Sequence, residues 1–121
     1  MLFLYSIIQG NLMTRKVLFV CTGNYDRSPT AENMYKGVRD LEVKSAGISV
    51  HAQNPLTKKL VEWADIIYAM EEHHKTAIVK IDSSAKTKTV VLDIPDIYFR
   101  DQPELKMLLK QKLNNHLKTP S

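Results

Sequence analysis

Short apolar runs alternate along this chain with stretches in which apolar residues recur at helical spacing. Residues 16–21 (KVLFVC) are apolar without a break after the lysine, the pattern of a strand buried on both faces. Residues 28–38 then predict a helix with Pro29 in its first turn, where a missing N–H forfeits no bond. Residues 43–46 predict a second strand closed by Gly47. Asn54 has the character of an N-cap, with Pro55 at the first helical position and Leu56, Leu60 and Trp63 on one face. Residues 65–70 (DIIYAM) predict a third strand, and residues 71–79 a helix with two acids in its first turn. Residues 83–88 (SSAKTK) read as a polar loop, and residues 89–94 (TVVLDI) as a fourth strand. Pro103 opens a last helix whose Leu105, Leu108, Leu109 and Leu113 form an apolar stripe; Met70 and Met107 read as core.

A strand followed by a helix four times over predicts an α/β fold: a single doubly wound domain, with a four-stranded parallel sheet and helices on both faces. Such folds bind ligands at the carboxyl ends of their strands, beside a switch in strand order. Cys21, Met70 and the loop after Asp93 stand at such ends.

A length of 121 residues supports one domain, and 44% hydrophobic with 25% charged residues is ordinary for a soluble protein. The net charge of +4 comes from scattered lysines, with no basic, aromatic-interleaved stripe, so no nucleic-acid partner is expected. One cysteine excludes an internal disulfide, no cysteine–histidine spacing marks a zinc site, and the composition points to a reducing, cytoplasmic compartment. Residues 1–14 read as an N-terminal extension to the domain of residues 15–121. Its run LFLYSII is too short to span a bilayer and lacks the flanks of a signal peptide. The extension is therefore expected to be dispensable, a membrane-associating tail being the competing reading. A monomer is favoured.

The lone cysteine ends the first strand and opens a C-x5-R-S loop, CTGNYDRS. A tight turn from a strand into a helix aims several backbone N–H groups, and the helix N-terminus behind them, at one point, which makes an anion cradle. Gly23 is expected to let the backbone curl without a Cβ clash. Arg27 brings a planar guanidinium that holds two oxygens of a phosphoryl group. The same positive field favours the thiolate of Cys21, a poised nucleophile, and Ser28 is placed to donate to its sulfur. Against this stands the plain reading of a cysteine as a small buried hydrophobe; the strand before the loop, the helix after it, and Arg-Ser-Pro outweigh it.

At these residues the chain resembles the low-molecular-weight protein tyrosine phosphatase family, whose signature V-C-x-G-N-x-C-R-S-P is similar to VCTGNYDRSP at Val20, Cys21, Gly23, Asn24, Arg27, Ser28 and Pro29. SAG at residues 45–47 and WADIIYAMEEHH at residues 63–74 extend the likeness over most of residues 15–100. The resemblance implies a two-step phosphomonoester hydrolysis: Cys21 attacks phosphorus, Arg27 and the loop bind the equatorial oxygens, and an aspartic acid serves as acid and then base. It implies no metal and no cofactor. Thr22, Gly23, Asn24, Tyr25, Asp26 and Ser28 would line the phosphoryl site, Tyr25 as a wall suited to an aryl group or as a plain solvent-facing residue. The implied substrates are phosphorylated proteins or small aryl phosphates.

Three departures stand out. The connection from Gly47 to Trp63 looks shortened. Asp26 occupies the place of a second cysteine, and must point outward if a dianion is to bind. The acid loop reads DIPDIYF where the family has Asp-Pro-aromatic, leaving Asp93 and Asp96 as candidates for the acid. Loop placement favours Asp96, with Tyr98 as a nearby wall; Asp93 otherwise braces the strand end. A phospho-ligand binding module without turnover is the alternative function, and an arsenate reductase using an external thiol the lesser one. His73 and His74 are expected to face opposite ways and form no metal pair, and His51 and His116 to be solvated.

Overall fold

The structure, a computed structural model, describes residues 14–117. The expected extension thus lies, apart from Thr14, outside the described residues. Four strands, β1 (Arg15–Cys21), β2 (Leu41–Gly47), β3 (Ile66–Ala69) and β4 (Thr89–Val91), form one parallel sheet in the order β2-β1-β3-β4. The helices are α1 (Arg27–Tyr35), α2 (Lys58–Trp63), α3 (Glu72–Ile81) and α4 (Pro103–Leu113). Strand order reverses at β1, so the loop after Cys21 emerges at the switch point where such sheets bind ligands.

β1 is central and buried from Val17 to Cys21. Its alternate residues feed two cores, as the period of two along a strand requires. Val17, Phe19 and Cys21 pack with Tyr35 of α1 and Leu105, Leu109 and Leu113 of α4. Leu18 and Val20 pack with Val61 of α2 and Ile78 of α3 on the other face. Among the described residues no helix is long and apolar enough to cross a membrane.

Several boundaries and assignments differ from the sequence reading. α1 begins at Arg27 and ends at Tyr35, followed by Gly37 in the left-handed region at φ 90°. Asn54 is no N-cap: its amide donates to the Ser45 carbonyl at 2.7 Å, and Pro55 forms an isolated parallel bridge with Gly47, so this stretch runs beside the end of β2. The helix waits for Thr57, whose hydroxyl accepts the Leu60 N–H. Residues 83–88 form a 3-10 turn rather than a loop, because the Asp82 carboxylate caps it at Ser84 and Ala85 is buried beneath. β4 stops at Val91, since Asp93 takes φ 57°, although Leu92 and Ile94 still donate to Ala69 and Met70. Met70 is core, but Met107 lies on the outer face of α4 and is 71% exposed.

Candidate active site

The cradle follows directly from β1. The carbonyls of Cys21, Thr22 and Gly23 accept the N–H groups of Ile48, Ser49 and Gln53, each at 3.0 Å. In a planar trans peptide the N–H points opposite to the carbonyl, so the amides of Thr22, Gly23 and Asn24 are turned to the other side, into the loop. The connection after Gly47 is thus the outer splint of the cradle. Gly47 is needed for close approach: a Cβ there would lie 2.5 Å from the Thr22 carbonyl oxygen and 3.0 Å from the Asn24 nitrogen. The left-handed residue of the loop is Asn24, at φ 58°, and not Gly23. Asn tolerates that region because it lacks β-branching and its side chain bonds locally.

That side chain is built in. Asn24 Nδ2 donates to Ser28 Oγ at 2.8 Å and to Ser45 Oγ at 2.9 Å, and Ser45 Oγ donates to Glu32 Oε1 at 2.5 Å. Ser28 Oγ, having accepted from Asn24, has one hydrogen to give, with the Cys21 sulfur 2.9 Å away and the Ala46 carbonyl at 3.4 Å.

Arg27 is only 2% exposed. Its Nη1 donates to Glu71 Oε2 at 2.5 Å and to the Ile94 carbonyl at 2.9 Å, Nη2 lies 3.4 Å from Thr22 Oγ1, and Nε is 3.7 Å from Asp96 Oδ1. The guanidinium so placed holds the Glu71 carboxyl below its ordinary range. Cys21, Thr22, Gly23, Tyr25, Asp26, Arg27 and Asp96 line one cleft of about 250 Å³. Asp93 is not among them; it lies in an adjoining cleft with Glu71, Glu72, His73 and Pro95. Tyr98 packs on the α1/α4 core instead of walling the cleft. Tyr25 stands at the mouth, 55% exposed. Asp26 is turned away by a bond from the Arg100 N–H to its Oδ1 at 2.9 Å.

The sequence reading missed Glu71 and His74. His74 is fully buried, its Nδ1 accepting the Glu71 N–H at 2.9 Å and its Nε2 2.8 Å from Thr22 Oγ1. The spacing Glu71-x-x-His74 is that of a capping box, a signal present in the sequence. Nor do the two histidines face opposite ways. Their ring centroids are 4.1 Å apart, because side chains of a first helical turn both lean toward the helix N-terminus. Glu71, His73 and His74 bring ligand atoms within 4.8 Å of one another. Both ring nitrogens of His74 are already engaged, however, so a metal there would have to break the cap or the Thr22 bond. His116 is exposed and sits edge-on to Tyr68.

The profile of the low molecular weight phosphotyrosine protein phosphatase family matches residues 16–64. A protein-arginine-phosphatase of Bacillus subtilis is 30% identical, over 78% of this chain and 92% of that protein. The low molecular weight protein-tyrosine-phosphatase Etp of Escherichia coli is 29% identical, over 68% of this chain and 72% of its own. Among solved structures, Vibrio vulnificus Wzb in complex with benzylphosphonate superposes with a TM-score of 0.71 at 26% identity, covering 84% of this chain and 96% of that one.

Proposed function

Since this chain belongs to the low molecular weight phosphotyrosine protein phosphatase family and is a cysteine-dependent phosphatase, we propose that it hydrolyses phosphorylated protein side chains through a phosphocysteine on Cys21. The observation that carries this reading is the cleft shared by Cys21, Arg27 and Asp96. The Cys21 thiolate attacks phosphorus in line as the bond to the leaving oxygen breaks. Asp96, protonated, gives its proton to that oxygen. Arg27 and the loop amides hold the equatorial oxygens, whose charge they match best in the transition state. The Asp96 carboxylate then takes a proton from water, which attacks phosphorus and breaks the S–P bond, releasing phosphate and the thiolate. Asp93, which lines the neighbouring cleft, is given no part in these steps.

The substrate class is an aryl phosphate of the phosphotyrosine type, supported by Tyr25, an exposed aromatic face at the mouth. One observation favours a second reading, N-phosphorylated arginine. The Asp96 carboxylate lines the cleft and would attract a cationic guanidinium. The Bacillus subtilis relative carries that activity in its name.

Hydrolysis of p-nitrophenyl phosphate, a phosphotyrosine peptide and a phosphoarginine peptide by the wild type and by Cys21→Ser tests both readings. Cys21→Ser is expected to be inactive on all three while still binding vanadate. Turnover that survives in Cys21→Ser overturns the thiolate mechanism, and preference for the phosphoarginine peptide selects the second substrate class.

A further inference from the structure

The mechanism above leaves the buried imidazole of His74 unused, although it reaches the wall of the cleft. Its Nδ1 accepts a backbone N–H, that of Glu71, at 2.9 Å. Only an unprotonated ring nitrogen accepts, so the single ring hydrogen of the neutral imidazole is on Nε2. Nε2–H therefore donates to Thr22 Oγ1 at 2.8 Å. Burial, reinforced by the charges of His73 and Arg27, keeps the ring in this neutral form, its pKa lowered to about 4.

Thr22 Oγ1 faces a second donor, Arg27 Nη2, at 3.4 Å. A hydroxyl has two lone pairs and one hydrogen. With both lone pairs directed at donors, the hydrogen is left to be given away. Thr22 is half-buried on the wall of the cleft that holds Cys21, Arg27 and Asp96, so that hydrogen has the phosphoryl site before it.

Resting on the phosphatase reading, we propose that the Thr22 hydroxyl donates a hydrogen bond to a phosphoryl oxygen in the cradle, and that His74 is the positioning residue that sets its direction. The loop would then present a side-chain donor beside its backbone amides. The donor is oriented before substrate arrives, because His74 is fixed at its other nitrogen by the first turn of α3.

The test uses aryl phosphate turnover together with phosphate binding by calorimetry in the Cys21→Ser background. Thr22→Val keeps the shape and removes the hydroxyl, and should lower kcat/KM roughly tenfold to a hundredfold, the range for a hydrogen bond to a charged group. Phosphate binding should weaken in parallel, and Thr22→Ser should recover most of both losses. His74→Phe should cost nearly as much alone, yet add little in the Thr22→Val background, which a merely structural role would not produce. If His74→Phe does not fold, the ring ¹⁵N shifts of the wild type decide: the Nε2–H tautomer supports the proposal and the Nδ1–H tautomer overturns it. Wild-type turnover and phosphate binding in Thr22→Val would also overturn it. Absence of any Cys21-dependent turnover in the wild type is a different outcome, since it removes the phosphatase reading and leaves the phosphate-binding comparison to judge Thr22.

Discussion

Asp26 holds Arg100 by its backbone: the carboxylate accepts the Arg100 N–H at 2.9 Å. The next amide, of Asp101, donates to Thr30 Oγ1 at 2.8 Å, and Arg27 Nη1 reaches the Ile94 carbonyl at 2.9 Å. The segment carrying Asp96 is thus pinned at both ends by the start of α1. Asp26 flanks that helix without capping it, spending its oxygen on the loop instead. Asp26→Ala should loosen the loop and misplace the acid. Phenyl phosphate turnover should fall by about tenfold more than that of p-nitrophenyl phosphate, whose leaving group needs less protonation. Asp26→Asn, which keeps an acceptor oxygen, should lose less. Equal losses on the two substrates in Asp26→Ala would show that the pin does not serve the acid.

The two acid-loop carboxylates separate by the same comparison. Asp96→Ala should slow phenyl phosphate by a factor within the roughly 10²–10⁴ of a general acid, and p-nitrophenyl phosphate far less. Asp93 occupies a left-handed position at φ 57° and faces the neighbouring cleft. Asp93→Ala should therefore affect both substrates alike and lower stability, a side chain with no local bonding being poorly suited to that backbone. The leaving-group dependence appearing in Asp93→Ala alone would reverse the assignment.

Gly47→Ala tests the splint. The added Cβ would meet the Thr22 carbonyl oxygen at 2.5 Å and Ala52 Cβ at 2.7 Å, neither at the end of a flexible side chain. Overpacking of this kind costs about 1–3 kcal/mol, and the displaced atoms belong to the cradle. Thermal unfolding should shift down and vanadate inhibition should weaken together. A destabilised variant with unchanged vanadate affinity would separate the splint from the site.

His74 carries a pH signature. Its pKa is lowered in the folded protein to about 4 from an ordinary 6.5, chiefly by burial. The unfolded chain therefore binds the extra proton first as the medium is acidified. Stability is full above about pH 6.5 and is lost progressively toward pH 4, by at most about 3 kcal/mol. Glu71, also depressed by its bond to Arg27, adds a loss of the same sign at lower pH. Urea unfolding across this range should show the decline in the wild type and a flatter profile in His74→Phe. Identical slopes in the two proteins would remove His74 from the account.

Much of this architecture was legible because its signals are local. A parallel strand buried on both faces reads as an unbroken apolar run, and VLFVC could hardly be anything else. The cradle was legible for the same reason, since Cys21, Asn24, Arg27 and Ser28 lie within one turn of chain. What escaped depends on distant contacts. His74 looks like any helical histidine until Thr22, 52 positions earlier, is brought to its ring. Asn54 looks like a cap until Ser45 claims its amide. Met107 follows the periodicity of α4 closely enough to pass for core, but the sheet covers only the face of Leu105, Leu109 and Leu113. Asp26 could be required to turn outward on charge grounds; that it turns toward Arg100 could not be read.

The dispersal of these partners along the chain has a consequence for biosynthesis. The nucleophile leaves the ribosome about 75 residues ahead of Asp96, a delay of several seconds at roughly 5–20 residues per second. Arg27 acquires Glu71 and then the Ile94 carbonyl, the groups that fix its guanidinium, only in the later part of that interval. The phosphoryl site is therefore complete only when β3 has docked beside β1 and β4 beside β3, so a chain released short of Asp96 carries the cysteine without the rest of its cleft.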